Sequence, residues 1–209
     1  MCTATPRTSQ GFTLLELMVV VALIGVLTML AAPSISLWLQ NIRIRNASEA
    51  MLNGMQTARM EAMRRNTRVT LWMVSSTDAG CALSSTGPSW IITLGAAPPT
   101  SLSNGCANAV FQDGGSTVQR YTASAAMLGI DLTAQDAAAA ATNCITFDGL
   151  GQVPTQGNIA CASPIEQIDM TSALPDTVAL RVTVTTGGQA RMCYPDPANQ
   201  LKATDPRKC

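Results

Sequence analysis

Residues 12–32 read FTLLELMVVVALIGVLTMLAA, and Glu16 is the only charged residue in this stretch. As an α-helix the stretch is about 31 Å long, at about 1.5 Å per residue, which matches the hydrocarbon thickness of a bilayer. Its length and composition therefore predict a membrane-spanning helix.

Glu16 needs a partner in such an environment. A carboxylate inside a membrane span costs about 2.5–3.5 kcal/mol at the bilayer centre and less near an end. The nearest bases in the chain are Arg7 and Arg43, and neither lies within a turn or two of Glu16 on the same helix. We therefore expect the partner to come from another molecule, and the simplest candidate is the positive N-terminus of a neighbouring copy.

Three simpler interpretations compete with this one. A secretory signal has an apolar core of about 7–15 residues followed by its cleavage site. Here the core is longer and contains an acid, and Pro33 directly follows Ala32, which ends the only suitable small-residue site. A plain single-span anchor explains the length but not Glu16, and a small soluble domain buries so long an apolar helix poorly.

The sequence GFTLLE at residues 11–16, followed by the apolar run, resembles the prepilin peptidase site of type IV pilins and type II secretion pseudopilins. The resemblance implies that residues 1–11 are a leader, removed by prepilin peptidase between Gly11 and Phe12. It implies that Phe12 becomes an N-methylated first residue and that Glu16 pairs with a neighbouring subunit's terminal amine during assembly. Pro33 lies where many of these proteins kink the helix.

A second helical pattern covers residues 34–66. Its apolar residues recur every three or four positions, which places them on one face of a helix. They are Ile44, Ala47, Met51, Met55, Ala58 and Ala62. We expect this face to pack on the rest of the protein, with Gly54 as an isolated weak point that costs about 1 kcal/mol relative to alanine. We expect the arginines of this segment to be mostly solvated.

From residue 67 onward, short β-type runs alternate with Gly, Pro, Ser and Asn. The predicted strands are 68–75, 89–94, 109–112, 117–121, 145–147, 177–185 and 189–194. The last two read as a hairpin around Thr186, Gly187 and Gly188. The Ala-rich residues 131–143 suggest a short helix or a surface loop. A long helix packed on an antiparallel β-sheet head is an α+β architecture.

The cysteines indicate disulfide bonds. Cys2 lies in the expected leader, and six cysteines remain: Cys81, Cys106, Cys144, Cys161, Cys193 and Cys209. Six cysteines allow 15 pairings; we favour sequential closure, because it gives the shortest loops. A metal site has few ligands to draw on, since the chain has no histidine and no C-x-x-C pair. Disulfides persist in oxidising compartments, which favours a periplasmic head and a cytoplasmic N-terminus.

The resemblance extends to the FimT/GspH branch of minor pilins and pseudopilins. It rests on AAPS at 31–34, NIRIR at 41–45, ARMEA at 58–62, RVTL at 68–71 and GGQARMC at 187–193. The branch has a type IV pilin-like fold. Its GspH-type members lie near the tip of the type II secretion pseudopilus, and its FimT-type members belong to type IV pili. Some of the latter bind DNA through a Gly-Arg-x-Arg motif.

The DNA-binding motif is only partly present. Its second arginine corresponds to Arg191, but Gln189 occupies the position of the first. Loss of one phosphate contact weakens DNA binding and lowers its salt dependence. Lys202, Arg207 and Lys208 supply further positive charge in the C-terminal tail, and we expect them to compensate if a Cys193–Cys209 bridge holds this tail beside Arg191. The alternative is a solvated C-terminal loop with no ligand.

Catalysis has little support. Without histidine there is no Ser-His-Asp or Cys-His arrangement, and no Gly-rich phosphate loop follows a strand. The spacing of Asp113, Asp131, Asp136 and Asp148 does not fit an EF-hand loop. We therefore expect no enzymatic activity, metal or cofactor.

These observations predict four segments: a leader (1–11), a transmembrane and assembly helix (12–33), an amphipathic helix (34–66) and a periplasmic β-rich head with a basic tail (67–209). We expect a single-pass inner-membrane protein that enters a pilus or pseudopilus at or near its tip. Its expected partners are other pilin subunits, prepilin peptidase, the membrane and, in the alternative function, double-stranded DNA.

Overall fold

The computed structural model describes residues 12–95, 97–101, 105–107, 110, 116–123, 127, 129–154, 161–195 and 204–209, without the side chains of residues 30–33. Helix α1 is Leu14–Arg65. The chain divides into two compact units, the first ending at Trp38 and the second comprising Leu39–Cys209. Of the helices in the described ranges, none alone has the length and hydropathy of a membrane span. The helical segments Leu14–Met29 and Ser34–Arg65, taken as separate helices with a short break between them, meet these criteria only when they are considered together.

In the second unit, the predicted apolar face of α1 forms the centre of the core. Ile44, Met55, Ala58 and Ala62 are completely buried, and Ala47 and Met51 are nearly so, which confirms the helical pattern read from the sequence. The helix ends at Arg65, and the chain turns at Asn66, which has a positive φ of 47°. The amides of Asn66 and Thr67 then bond back to Met63 O and Ala62 O, at 3.3 and 3.2 Å. This is the usual left-handed C-terminal cap, with Asn in place of Gly.

The first sheet contains four antiparallel strands in the order β3-β2-β1-β5. The strands are β1 (Val69–Val74), β2 (Ser89–Leu94), β3 (Thr117–Tyr121) and β5 (Cys144–Phe147). Every residue of β1 is buried, so both faces of this strand are covered. Val69, Leu71 and Met73 join the core cluster of the helix. Trp72 and Val74 on the other face pack in two smaller clusters.

The second sheet is also antiparallel, in the order β4-β6-β7-β8. Its strands are β4 (Asp131–Gln135), β6 (Gln167–Thr171), β7 (Leu180–Val184) and β8 (Ala190–Cys193). Strands β7 and β8 form the predicted hairpin. The expected single sheet is thus two sheets. The first does not continue past β5, where the amide of Ile165, ahead of β6, bonds to Cys144 O at 2.9 Å.

Two strands differ from expectation. Residues 131–143, predicted as a short helix or a surface loop, begin with β4, in which Leu132 and Ala134 face the core. Strand β6 was not predicted, although Ile168 and Met170 alternate with polar residues. Of the predicted strand 109–112, only residue 110 lies within the described residues, and it is in a turn. Two short 3-10 helices, Pro99–Ser101 and Gly105–Ala107, follow β2.

The six cysteines form the sequential pairing that we favoured: Cys81–Cys106, Cys144–Cys161 and Cys193–Cys209. The first two bridges cover the face of the first sheet that points away from α1. Leu83 packs against the two small clusters that contain these cysteines, and its backbone forms an isolated antiparallel β-bridge with Val74. On the same face, the indole of Trp72 donates to Thr93 Oγ1 at 2.9 Å. Disulfides and loops therefore cover this face.

Gly54 has a specific role in this packing. A Cβ atom at this position would lie 2.7 Å from Cε2 of Trp90 and 3.1 Å from Cδ1 of Leu71. Such a contact is too short for a side chain, so the indole of Trp90 reaches the helix only because residue 54 is glycine. The weak point in the helical pattern is thus a place of close contact between the helix and the first sheet.

Candidate functional site

Thr13 caps the start of α1. Its hydroxyl accepts a hydrogen bond from the amide of Glu16 at 3.2 Å, and its carbonyl accepts one from the amide of Leu17 at 3.2 Å. Thr-x-x-Glu is the capping-box pattern, in which the first-turn acid also favours the positive end of the helix dipole. Glu16 is exposed. The hydrogen bond to Thr13 comes from the backbone amide of Glu16, and sequence reasoning missed this cap, although the Thr-Leu-Leu-Glu spacing was its signal. Gly11 lies outside the described residues.

The first unit leaves its apolar side chains uncovered. Between Phe12 and Met29, the large apolar residues expose roughly half or more of their surface, from 48% at Val20 to 87% at Phe12. Thr28, a polar residue in this run, donates its hydroxyl to the carbonyls of Ile24 and Gly25 at 3.0 and 2.9 Å. Its hydrogen bond is therefore satisfied within the helix, as a nonpolar medium demands. Pro33 lies within α1, and its predicted kink stays a prediction.

A disulfide holds the C-terminal segment against the end of β8. A disulfide joins Cys209 to Cys193, and the backbone of Lys208 forms an isolated parallel β-bridge with that of Tyr194. The Tyr194 amide donates to Arg207 O at 2.8 Å, and the Cys209 amide donates to Tyr194 O at 3.0 Å. The structure thus brings Arg207 and Lys208 to the strand that carries Arg191, as predicted for the bridged tail.

The positive charge of Arg207 in this tail is paired with a carboxylate. The Arg207 guanidinium donates two hydrogen bonds to Asp205, at 3.1 and 2.8 Å, and lies 5.8 Å from the ring centre of Tyr194. These side-chain hydrogen bonds, with one from the Arg207 amide, lower the pKa of Asp205 from 3.8 to about 2. The same pair raises the pKa of Arg207. The positive charge of Arg207 is therefore largely balanced, and Lys202 lies outside the described residues.

Arg191 is the predicted base whose charge is most available among those that the structure describes. It is exposed on β8 opposite Thr183, on the face of the second sheet away from α1, and it has no ion pair within the described part of the chain. Arg181 on the same face is bound instead to Asp169, at 2.6 and 2.8 Å. Arg191 also lines a hollow of about 240 Å³ together with Arg59, Gln56 and Gln189.

Arg59 is a positioning residue that sequence reasoning missed. Its Nε donates to Gly151 O at 2.9 Å and its Nη2 to Gly187 O at 3.3 Å. These two glycines belong to the turn after β5 and to the turn of the β7–β8 hairpin. The arginines of this helix were expected to be solvated, but this one ties the hairpin that carries Arg191 to the helix.

Of the four acids considered for calcium, Asp136 and Asp148 cap turns, Asp131 begins β4, and Asp113 lies outside the described residues. Asp136 Oδ1 accepts hydrogen bonds from the amides of Ala138 and Ala140, both at 2.9 Å. Asp148 Oδ1 accepts them from Leu150 and Gln152, at 3.0 and 2.9 Å. In the ranges that the structure describes, no three His, Cys, Asp or Glu residues form a group suited to a metal ion.

The family model described as "Type II transport protein GspH" matches residues 47–188, and that described as "Prokaryotic N-terminal methylation motif" matches residues 6–32. The chain belongs to the FimT/GspH family of minor type IV pilins and pseudopilins. No curated protein matches it significantly in sequence.

Two crystal structures of the type IV minor pilin FimU of Pseudomonas aeruginosa, strain PAO1, are similar. One, in space group P65, has 11% identity and a TM-score of 0.42 over 71% of this chain and 90% of FimU. The other, in P21, has 13% identity and a TM-score of 0.44 over 74% and 91%.

Membership of the FimT/GspH family confirms the predicted family and fold class, a type IV pilin-like fold with one long helix followed by antiparallel strands. Proteins of this family are structural pilins rather than enzymes. The family and the methylation motif imply processing by prepilin peptidase and assembly with other pilin subunits in a membrane-anchored pilus or pseudopilus. The matched range 6–32 includes Gly11, Phe12 and Glu16.

Proposed function

We propose that this minor pilin or pseudopilin is cleaved between Gly11 and Phe12 and inserted in the inner membrane by residues 12–33. Its head, residues 67–209, lies in the periplasm, and the N-methylated Phe12 begins the mature chain. The subunit then enters a type II secretion pseudopilus or a type IV pilus at or near the tip and supports secretion or pilus biogenesis. Glu16 sets its position by pairing with the terminal amine of an adjacent subunit.

The observation that carries this proposal is the uncovered apolar helix with one acid in its first turn. Every large apolar side chain described between Phe12 and Met29 is exposed in the isolated chain. An exposed surface of this kind is stable only in lipid or against other apolar helices. Cleavage before Phe12 would leave a free amine two residues ahead of the helix start and four residues before Glu16. A neighbouring copy would then offer both a matching apolar helix and the opposite charge.

The charge of Glu16 can be removed without disturbing the start of the helix, because glutamine suits the same position of a capping box but carries no charge. We expect Glu16→Gln and Glu16→Ala both to be inserted and cleaved, and both to be absent from sheared filaments. Immunoblots of the membrane and filament fractions measure this. Glu49→Gln, which removes an exposed acid from the second half of the helix, is the matched control and should be incorporated normally. Normal incorporation of Glu16→Gln would show that assembly does not need the charge of this residue.

Processing is tested separately by mass spectrometry of the membrane-derived protein. The expected first residue is a methylated Phe12, and Gly11→Leu should leave the precursor uncut and unshifted on a gel. A different first residue would contradict both the cleavage site and the pairing.

Exposed Arg191 favours DNA capture as a second candidate function. Its charge has no described partner, and it shares a hollow with Arg59. Phosphate contacts of this kind give strongly salt-dependent binding. A gel shift of the full chain in detergent with double-stranded DNA, at low and high salt, tests the idea. Arg191→Ala should abolish the low-salt shift, whereas Arg120→Ala, which removes one exposed arginine from the edge strand β3, should not. The absence of a low-salt shift for the unaltered chain would exclude this function.

A further inference from the structure

We propose that an open groove between α1 and the edge of the first sheet binds a neutral saccharide. The groove has a volume of about 320 Å³ and is separate from the anchor helix and from the C-terminal tail. This volume lies at the lower end of the range of about 300–1,000 Å³ for small-ligand sites, and it suits one or two sugar rings of a longer glycan. Its helix wall includes Asn46, Glu49 and Asn53, and its sheet wall consists of Trp90, Gln119 and Tyr121.

The sheet wall is aromatic. Trp90 and Tyr121 are directly opposite each other on β2 and β3, and their rings are stacked with centroids 5.5 Å apart and planes 15° apart. Trp90 is almost fully buried, whereas Tyr121 is half-buried. An aromatic ring with one covered and one accessible face offers the apolar surface on which the C–H face of a sugar ring can lie.

The Trp90 indole also carries an unused hydrogen-bond donor. Its Nε1 is buried and has no acceptor among the residues that the structure describes, whereas the equivalent atom of Trp72 donates to Thr93 Oγ1 at 2.9 Å. Buried indole N–H groups normally find a partner. The neighbouring atom Cε2 lies against Gly54, so Nε1 is held beside the helix wall of the groove. A sugar hydroxyl or ring oxygen is the kind of acceptor that this position lacks.

The remaining walls are rich in amides. Asn46, Asn53 and Gln119 are exposed, and their side-chain amides make no hydrogen bond to another described residue. Each amide offers a donor and an acceptor side by side, which matches the vicinal hydroxyls of a sugar. Because Nε1 of Trp90 is covered, an acceptor reaches it only when a lining side chain moves, and exposed side chains without hydrogen bonds move readily.

The charge of the groove favours a neutral ligand. Its one ionisable carboxylate, Glu49, is paired with Arg45 at 3.2 Å. No lysine or arginine lines the groove, so it lacks the cations that a phosphate or a carboxylate ligand would need. A peptide ligand would instead be expected to use apolar anchor pockets, which these amide-lined walls do not provide.

Indole N–H signals in proton–nitrogen NMR spectra test the proposal directly. The mature full chain in detergent micelles is titrated with methyl glycosides of glucose, galactose and N-acetylglucosamine, and with a short peptide of the same concentration. The chain has three tryptophans, which are assigned by Trp→Phe variants. We expect at least one glycoside to shift the Trp90 signal saturably. The Trp72 signal, whose donor is already bonded, should stay in place.

Two variants test whether the glycoside binds in the groove. Asn53→Ala and Gln119→Ala should each weaken binding by about tenfold, the effect of losing one or two hydrogen bonds. Gln56→Ala removes an exposed amide of the same helix that lines a different hollow, and it should bind the glycoside unchanged. The proposal is overturned if no glycoside shifts Trp90, if Trp72 shifts equally, if Asn53→Ala binds as well as Gln56→Ala, or if only the peptide binds.

Discussion

The two halves of helix α1 differ in apolar content and have opposite surroundings. Up to Met29, the large apolar side chains are exposed around the whole helix, whereas between Ile44 and Ala62 most apolar side chains form a single buried stripe. The first half carries an all-round apolar surface, which is typical of a helix that meets lipid or other helices. The second half is an ordinary amphipathic core helix. The two segments therefore differ both in apolar content and in the periodicity of their apolar residues.

The strongest test of this difference uses two methionines of the same helix. Met55 is completely buried, whereas Met29 is 82% exposed. Met55→Ala should destabilise the head by about 2–5 kcal/mol, because it removes buried methylenes and leaves a cavity. Met29→Ala should leave the unfolding of the head unchanged. Urea unfolding of both variants in detergent, followed by tryptophan fluorescence, measures the difference, and equal stabilities would contradict the division of the helix.

Two glycines give the next largest effect. A Cβ on Gly25 would meet no atom within 4 Å, whereas one on Gly54 would meet the Trp90 ring at 2.7 Å. Alanine favours a helix by about 1 kcal/mol over glycine, but overpacking a core costs about 1–3 kcal/mol. Gly54→Ala should therefore lower the melting temperature of the head. Gly25→Ala should not lower it, and a stabilised Gly54→Ala protein would show that the indole moves aside easily.

The arginines of the second half provide a smaller contrast. Arg59→Ala removes hydrogen bonds to Gly151 O and Gly187 O and should cost about 1–2 kcal/mol, since charged donors bind strongly but this one is partly exposed. Arg45→Ala, which removes an exposed pair with Glu49, should cost at most about 0.5 kcal/mol. Chemical denaturation gives both values. Faster amide exchange at the β7–β8 turn in Arg59→Ala alone would identify the hairpin as the part released.

The smallest expected effect lies at the C-terminus. Hydrogen bonds from Arg207 hold the pKa of Asp205 at about 2, below its ordinary value of 3.8. A lowered native pKa means that the stabilising contribution is present above about pH 3.8 and is lost as the pH falls through about 2. The NMR signals of Tyr194 and Cys209 should therefore shift at the acidic end of this range. Asp205→Asn should abolish that transition while leaving the signals of α1 unaffected.

The sequence was most informative where one periodicity dominated. The buried stripe of α1 and the β7–β8 hairpin follow from spacing, and the resemblance at residues 11–16 agrees with the family. The disulfide pairing was favoured for its short loops but was one of 15 that the sequence allowed. Strand β4 was missed because Ala134 is small and the alanines after it mimic a helix. The alternation of Ile168 and Met170 was readable but too short to stand out. The roles of Arg59 and Gly54 depend on residues far away in the chain, which no local pattern can show.

The order of the disulfides bears on how the protein matures. Each bridge joins a cysteine to the next one along the chain, at separations of 25, 17 and 16 residues, and the three loops neither cross nor enclose one another. If residues 67–209 are exported in order along the chain, each pair can thus oxidise before the following pair is available. We expect an oxidant alone to complete the set without isomerase-catalysed reshuffling, the slower route that crossed pairings require.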